Sequence, residues 1–238
     1  MTTEFLPSAE GRRIIRELTS NGEAMLMLAR TGTHVLNPYH NLDHELGVVY
    51  WSYSCAINSG AYDYGYALDE NEMQALLSAA LFHDHNHSGG LVTDDINVKR
   101  ASEFIVSSSA YPLFECFGRY ASLRANIEVT EFVNGKFTHE PKTFAQRCIR
   151  DADLMSIYTD EGRHLLLGLF QELKIDMMDQ FKRSEALAKN AEFLWKSEMF
   201  TPFGKAMKAQ HLERSIGAFE SLVKRTYPYQ VSSTYCNQ

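Results

Sequence analysis

The sequence predicts an all-α fold, because apolar residues recur with a helical period along most of the chain and strand-like alternation is scarce. The segment from Leu42 to Ser59 shows the helical period best, with apolar residues on one face: Leu42, Leu46, Val49, Tyr53, Ala56 and Ile57. Asn134-Gly135 has the composition of a hairpin turn but lacks convincing alternating strands on either side. We therefore expect one mostly helical domain over residues 1–238.

Capping and turn residues divide the chain into further helices. Asp69 with Glu72 predicts a helix start, and an Ala/Leu-rich buried helix follows from Met73 to His83 and ends by Ser88-Gly89-Gly90. Thr93-Asp94-Asp95 predicts the next start. Other helices are expected over 114–133, 143–158, 161–181, 184–197 and 202–224, and the polar, aromatic tail 226–238 is expected to be irregular or packed along the surface.

Composition narrows the class of protein. A chain of 238 residues that is 45% hydrophobic and 22% charged is typical of a globular protein with a sizeable core. Its four scattered cysteines form no Cys-x-x-Cys pair, and no signal peptide or long apolar run is visible, so we expect a cytoplasmic protein without a membrane partner. The formal charge of −7 argues against nucleic-acid binding, though not against small phosphorylated substrates.

Histidines and acids are concentrated in two short stretches. Five of the 9 histidines lie between residues 40 and 87, in Pro38–His44 and Leu81–Gly90. Imidazole and carboxylate groups are the ligands that Zn, Fe and Mn prefer, and Mg accepts the carboxylates. Burying such groups at a helix end is costly unless they have partners, and a cation supplies one for several of them at once. The sequence therefore predicts a metal-dependent enzyme.

The spacing of these residues favours a shared site. His40 and His44 are four residues apart, as are His83 and His87, so each pair can lie on one helical face. Asp84 directly follows His83, and neighbours on a helix diverge by about 100°. Both can therefore reach one metal only if the helix end presents them to it. We predict His44, His83 and Asp84 as ligands.

A further acidic ligand is expected from Asp151-Ala152-Asp153. The two carboxylates are about 200° apart on a helix, so only one should face the site. The other is expected to cap a helix, pair with Arg150 or meet solvent, and the spacing leaves open which is which. His85 lies on a different face from His83 and is predicted to take no part.

Three motifs, in order, carry a family resemblance. Tyr39-His40-Asn41-x-x-His44, His83-Asp84-x-x-His87-x-Gly89 and Ala152-Asp153-Leu154 resemble the metal motifs of the class I 3′,5′-cyclic nucleotide phosphodiesterases, in the HD-domain superfamily of metal-dependent phosphohydrolases. The resemblance spans residues 38 to about 175 and implies a compact HD/phosphodiesterase-like fold, with C-terminal helices over 176–225 completing the pocket.

The resemblance also implies roles and two divalent metal ions, which the sequence leaves open among Zn, Mg, Mn and Fe. The implied ligands of the first ion are His44, His83, Asp84 and Asp153. Asp84 would bridge to a second ion held largely by water, with His87 helping to hold that shell. His40 matches the general acid that protonates the leaving oxygen. Glu131, in Thr130-Glu131, faintly resembles an acidic position near the second ion or the substrate.

The expected reaction is cleavage of a phosphodiester in a small nucleotide, most of all a 3′,5′-cyclic nucleotide, by attack of a metal-bridging hydroxide. Met155-Ser156-Ile157 replaces the family's Ser-Asn-Pro and Ser88 replaces a proline, while Gln171, Gln180 and Gln210 are competing candidates for a base-binding glutamine. Alternatives are a nucleoside mono- or triphosphate phosphohydrolase, a dinuclear-iron HD-type oxygenase, and a degenerate HD domain that binds a nucleotide or protein without turnover.

Overall fold

The computed structural model of the chain describes residues 5–33, 37–60, 67–107 and 120–228. Within these ranges the protein is all-α with one small hairpin, which confirms the predicted fold class. The elements, in chain order, are α1 (Pro7–Leu18), α2 (Gly22–Gly32), α3 (Leu42–Ser59), α4 (Glu70–Phe82), α5 (Asp94–Phe104), α6 (Tyr120–Glu128), β1 (Phe132–Val133), β2 (Lys136–Phe137), α7 (Phe144–Asp153), a 3₁₀ turn (Met155–Tyr158), α8 (Asp160–Glu172), α9 (Gln180–Lys196) and α10 (Pro202–Thr226).

Helix α3 is the central element of the fold. It packs against α1, α4 and α7, and most of its apolar residues lie in the larger of two hydrophobic clusters. Ile57, which was predicted on the apolar face, is instead exposed. The side-chain oxygen of Asn41 accepts hydrogen bonds from the backbone N–H groups of Asp43 (3.0 Å) and His44 (3.1 Å), so the predicted ligand His44 lies in the first turn of the helix. A second cluster joins the 3₁₀ turn, α8, α9 and α10.

Side-chain caps are present at two of the predicted helix starts, whereas the side chain of Thr93 makes no capping hydrogen bond at the start of α5. Asp69 and Glu72 form the predicted reciprocal capping box at the start of α4. Thr143 and Gln146 form another at the start of α7. The helix expected to end by Ser88-Gly89-Gly90 instead ends at Phe82, and a turn follows over 83–86. Both predicted second-motif ligands therefore lie just outside the helix.

Two long helices were predicted where the chain changes direction. The helix expected over 161–181 is wrong, because α8 ends at Glu172 and Lys174 adopts φ 55°, a left-handed conformation that stops a helix. The helix expected over 143–158 ends at Asp153 and continues as the 3₁₀ turn. The helix expected over 114–133 is described only as α6, since residues 108–119, like tail residues 229–238, lie outside the described ranges.

The Asn134-Gly135 turn does join two strands. Asn134 (φ 54°) and Gly135 (φ 79°) are both in the left-handed region that a two-residue hairpin turn requires. The strands pair antiparallel, Phe132 with Phe137 and Val133 with Lys136. Strands of two residues are too short to show alternation, which is why no clear strand pattern is visible around this turn in the sequence.

Over the residues described, none of the helices combines the length and the apolar character that crossing a membrane requires.

Candidate metal centre

The ends of three helices bring the predicted ligands together. His44 lies in the first turn of α3, His83 is the C-cap residue of α4, and Asp153 is the last residue of α7. Helix α4 ends at Phe82, and His83 and Asp84 lie in the turn that follows, with His83 Nε2 3.0 Å from Asp84 Oδ2. Helix termini thus let neighbouring residues point at one place.

Two imidazole nitrogens and two carboxylate oxygens converge there. His83 Nε2 lies 3.0 Å from Asp84 Oδ2 and 3.7 Å from Asp153 Oδ1. His44 Nε2 lies 3.2 Å from the same Asp84 oxygen and 3.4 Å from the same Asp153 oxygen. Ligands bonded about 2 Å from one cation are typically about 3–3.5 Å from each other. The ligand atoms of His44, His83 and Asp84, which all lie within 4.8 Å of one another, fit one such shell, and Asp153 lies against both imidazoles.

The nitrogens have no other use within the described protein. His44 Nε2 and His83 Nε2 are buried, and neither has a hydrogen-bond partner of acceptable geometry among the described residues. His83 Nδ1 lies 2.9 Å from the carbonyl oxygen of Ala80, a contact that places the proton on Nδ1 and leaves the Nε2 lone pair facing the carboxylates. Buried lone pairs aimed at one point, with two acids beside them, fit a divalent cation.

The electrostatics of the cluster are those of a site built for positive charge. Burial opposes the charged form of His83, but the carboxylates of Asp84 and Asp153 outweigh it and hold the His83 pKa well above its usual range. Burial also opposes the charged form of His44, and the carboxylates of Asp153 and Asp84 again outweigh it and raise the His44 pKa. Conversely, His83 holds the pKa of Asp84 well below its usual range against the effect of burial. The two carboxylates therefore favour positive charge at the point where the histidine nitrogens converge.

The structure separates the two candidate acids of α7. Asp153 faces the histidines, whereas Asp151 is fully buried and accepts hydrogen bonds from the backbone N–H groups of Phe200 and Thr201 (both 2.8 Å) and from the Thr201 hydroxyl (2.7 Å). Burial raises the pKa of Asp151 to about 6 in spite of these donors. Asp151 therefore holds the start of α10, and Asp153 is the acid placed to bind metal.

A second group of possible ligands shares Asp84. Ligand atoms of His40, Asp84 and His87 all lie within 4.8 Å of one another. The rings of His40 and His87 are stacked, with centroids 3.5 Å apart and planes inclined at 26°. Asp84 therefore lies between the two groups, which is the position expected of a bridging ligand.

His40 is held by a carboxylate that the motifs did not reveal. Glu172, the last residue of α8, lies 2.5 Å from His40 Nδ1 through Oε2, and its Oε1 accepts the backbone N–H groups of Tyr39 (2.8 Å) and His40 (3.0 Å). Burial lowers the pKa of His40, and the charges of Asp84 and Glu172 oppose that effect. The signal for Glu172 was present in the sequence, as an acid in the leucine-rich run Leu165–Leu173.

His87 is fixed on both edges of its ring. The backbone N–H of Gly89 donates to Nδ1 (3.1 Å), while Asn97 Nδ2 lies 2.9 Å and Asp94 Oδ1 3.6 Å from Nε2. The contacts from α5 were also missed by sequence reasoning, which treated Asp94 only as part of a helix start. The contacts at both ring nitrogens orient His87 so that the face of its ring lies against the ring of His40.

Two other predicted positions are engaged elsewhere. Glu131 accepts a hydrogen bond from the Thr138 hydroxyl and lies 3.7 Å from His139, so the contacts described for it are at the hairpin, and its role near the second ion stays a prediction. His85 is buried, stacks on Phe104 with centroids 3.6 Å apart, and has its pKa lowered to about 4 by burial. That neutral packing role agrees with its expected absence from the site.

The chain matches no protein-family model, and the search of curated proteins finds no significant relative.

Proposed function

We propose that this protein is a metal-dependent phosphohydrolase of the HD/phosphodiesterase type that cleaves a phosphodiester in a small nucleotide, with 3′,5′-cyclic nucleotides as the leading class. The observation that carries the proposal is the buried cluster of His44, His83 and Asp84, whose ligand atoms all lie within 4.8 Å of one another, with Asp153 against both imidazoles. The second group around His40 and His87 supports a neighbouring cation site, because Asp84 belongs to both groups.

The donor set fits two divalent cations that share Asp84. When bound, such ions lower the pKa of a water molecule and neutralise charge on the phosphoryl oxygens. The protein's own contribution is to fix the ligands on helix ends that are packed into the larger core cluster. The contact of His83 Nδ1 with the carbonyl oxygen of Ala80 fixes the tautomer of His83, so this ligand needs little reorganisation when an ion binds.

His40 is the proposed proton donor to the leaving oxygen. Its Nδ1 is engaged by Glu172, so Nε2 is the nitrogen available to a substrate. Glu172 also accepts the backbone N–H of His40, which fixes the main chain and the ring together. The negative charge of Glu172 favours the imidazolium form, which is the form that a general acid needs.

A substrate panel tests the proposal. Purified protein is loaded in turn with Mn²⁺, Mg²⁺, Zn²⁺ or Fe²⁺ and incubated with 3′,5′-cyclic mononucleotides, cyclic dinucleotides and nucleoside mono- and triphosphates. We expect a linear nucleotide from the cyclic substrates without release of free phosphate. His83→Ala should lose both metal and turnover, because it removes a convergent nitrogen. His211→Ala, an exposed histidine on α10, should lose neither.

Other outcomes of the same panel separate the alternatives. Phosphate or polyphosphate released from mono- or triphosphates, with cyclic substrates untouched, would establish a different phosphohydrolase. Bound iron with oxygen consumption and no nucleotide turnover would establish an oxygenase. Intact cyclic nucleotides together with full metal content in His83→Ala would refute the proposal.

A further inference from the structure

A surface cleft lies between α9 and α10, and none of the candidate metal ligands lines it. The last turn of α9 forms one side, residues of α10 between 205 and 214 form the other, and the connecting residues 197–199 join the two. The volume of the cleft is about 720 Å³, and small-molecule sites in proteins typically measure about 300–1,000 Å³. It is therefore large enough for a small organic ligand.

Hydrogen bonds between the two helices hold the cleft in shape. The Lys208 ammonium group donates to the carbonyl oxygens of Trp195 (2.7 Å) and Ser197 (2.5 Å), so α10 is fixed to the end of α9. The Ser197 hydroxyl and backbone N–H both donate to the carbonyl oxygen of Phe193, at 2.7 Å and 2.8 Å. Because the last carbonyls of a helix lack intrahelical donors, these contacts both cap α9 and preform the cleft.

The lining of the cleft carries more positive than negative groups, although the chain as a whole has a formal charge of −7. Four basic and two acidic side chains contribute to it: Lys196, Lys205, Lys208, Arg214, Glu198 and Glu213. Lys196 is in an ion pair along α9, and Lys208 is engaged by the α9 carbonyls. Among the described residues, no ion pair or hydrogen bond engages the exposed side chains of Lys205 and Arg214. The charge of Lys205 opposes the raised pKa of Asp151, but without an ion pair. Two cations are therefore available to an anionic ligand.

Trp195 exposes an indole ring at one side of the cleft. Its exposed fraction is 54%, whereas Trp51, the other tryptophan of the chain, is buried. In the part of the chain that the structure describes, no other ring and no cation packs on the Trp195 indole. Aromatic side chains bring a large apolar face, and exposed apolar groups rimmed by polar residues mark binding sites. The indole is therefore available to stack with a planar ring of a ligand.

We infer that the cleft is a small-molecule site separate from the metal centre, and that its ligand combines a planar aromatic ring with an anionic group. The ring stacks on Trp195, and the anionic group binds Lys205 and Arg214, which line the same cavity. Arg and Lys bind phosphate through charge-assisted hydrogen bonds, and a nucleoside monophosphate has both parts that the cleft recognises. The inference does not depend on the proposed function, because no metal ligand takes part.

Nucleotide binding in the absence of metal tests the inference. Calorimetry in EDTA measures the binding of the 5′-monophosphates of adenosine, guanosine, cytidine and uridine, and the parent nucleosides and inorganic phosphate are titrated separately. The titrations are repeated with His83→Ala, which separates the cleft from the metal centre. We expect at least one nucleotide to bind equally to both proteins, and to bind more tightly than its nucleoside or phosphate alone by about tenfold or more, because both of its parts are held.

Substitutions in the cleft locate the binding, and all of them change exposed side chains. Lys205→Ala and Arg214→Ala each remove a cation and should weaken nucleotide binding by about tenfold, while nucleoside binding stays the same. Trp195→Ala removes the stacking surface and should weaken nucleotide and nucleoside alike by about tenfold. The matched control is Arg225→Ala, an exposed arginine near the end of the same helix and outside the lining, which should bind like the wild type.

The inference would be overturned if none of the four nucleotides binds in EDTA, or if binding is lost in His83→Ala. It would also be overturned if the Lys205, Arg214 and Trp195 variants bind nucleotide like the wild type, or if nucleosides bind as tightly as nucleotides. Failure of the substrate panel would instead contradict the proposed function alone, since the panel reports on the metal centre.

Discussion

At the scale of single residues, the candidate site is set by the hydrogen-bond partners of its histidine ring nitrogens. His83 donates from Nδ1 to a backbone carbonyl and presents Nε2 to the carboxylates. His40 is oriented by Glu172 and stacks against His87. Under the proposed function, histidine would serve as a ligand in one place and as a proton donor in the other, because the partner of the second ring nitrogen differs.

Replacing Glu172 by glutamine tests this division of roles. Glu172→Gln keeps an acceptor for the backbone N–H groups but removes the charge that favours protonated His40. A general acid must be protonated, so activity is lost as pH rises through its pKa. We expect the alkaline limb of the kcat profile to move to lower pH and kcat at pH 8 to fall about 100-fold.

The control is Glu161→Gln, because Glu161 also accepts a backbone N–H, from Ser8 (2.9 Å), yet is not among the groups described at His40. It should keep the wild-type pH profile. A Glu172→Gln profile that is lowered uniformly, with the limb in place, would mean that Glu172 only supports the fold.

At the scale of elements, the C-terminal end of α7 contacts both the candidate metal centre and the start of α10. Asp153 faces the metal centre, and Asp151 holds the start of α10 through three hydrogen bonds. Gly204 allows the close approach, since a Cβ there would lie 2.3 Å from Asp151 Oδ2. The last long helix is thereby fixed to the helix that carries a ligand.

The two aspartates of α7 should give opposite phenotypes when changed to asparagine. Asp151→Asn removes an ionised acceptor in a buried position and should lower the free energy of unfolding by about 1–3 kcal/mol while the protein keeps its metal. Asp153→Asn should lose metal affinity with little change in metal-free stability. Urea unfolding in EDTA, with metal titration of both variants, measures the two effects. Metal loss confined to Asp151→Asn would reverse the assignment.

Sequence reasoning succeeded where local patterns determine structure. The helical period of the apolar residues correctly predicted the helix Leu42–Ser59, and the Asp69/Glu72 pair correctly predicted the start of α4. It failed where the outcome depends on distant contacts. The stop after α8 depends on the left-handed Lys174, a residue with no strong local signal for that conformation.

The candidate site shows the same limit. The spacing of His44, His83 and Asp84 was sufficient to group them, because motifs preserve short-range geometry. Asp153 could not be separated from Asp151 by sequence, since the choice is made by the start of α10 about 50 residues away. Glu172 reaches His40 across 132 residues, a pairing for which a single sequence holds no local signal.

At the scale of the whole molecule, we expect folding and occupation of the candidate metal centre to be thermodynamically linked. The start of α3 and the ends of α4 and α7 meet at the centre. Repulsion or attraction between its histidines and carboxylates therefore acts on the packing of all three helices. In the metal-free protein the pKa values of His44 and His83 are raised, and that of Asp84 is lowered. Protonated histidines therefore act as the counter-charges of the acids.

This linkage predicts that the melting temperature of the metal-free protein falls as pH rises, while the stabilisation by bound metal increases. Raised histidine pKa values contribute stability that is fully present below the unfolded-state value of about 6.5 and is lost as pH rises through the folded-state values. The lowered Asp84 pKa contributes stability that is present above about 3.8 and lost in stronger acid. The metal-free protein should thus melt at a lower temperature at pH 8 than at pH 6.

Metal binding should become stronger over the same interval, because the ligands must give up their protons. Metal at about 100 times its dissociation constant adds about 2.7 kcal/mol. At a fixed Mn²⁺ concentration, the rise in melting temperature over the EDTA sample should therefore be larger at pH 8 than at pH 6. His83→Ala, which removes one of the titrating ligands, should flatten both trends. Equal metal-free stability at the two pH values, with an equal effect of Mn²⁺, would show that the histidines and acids of the centre are not coupled to folding.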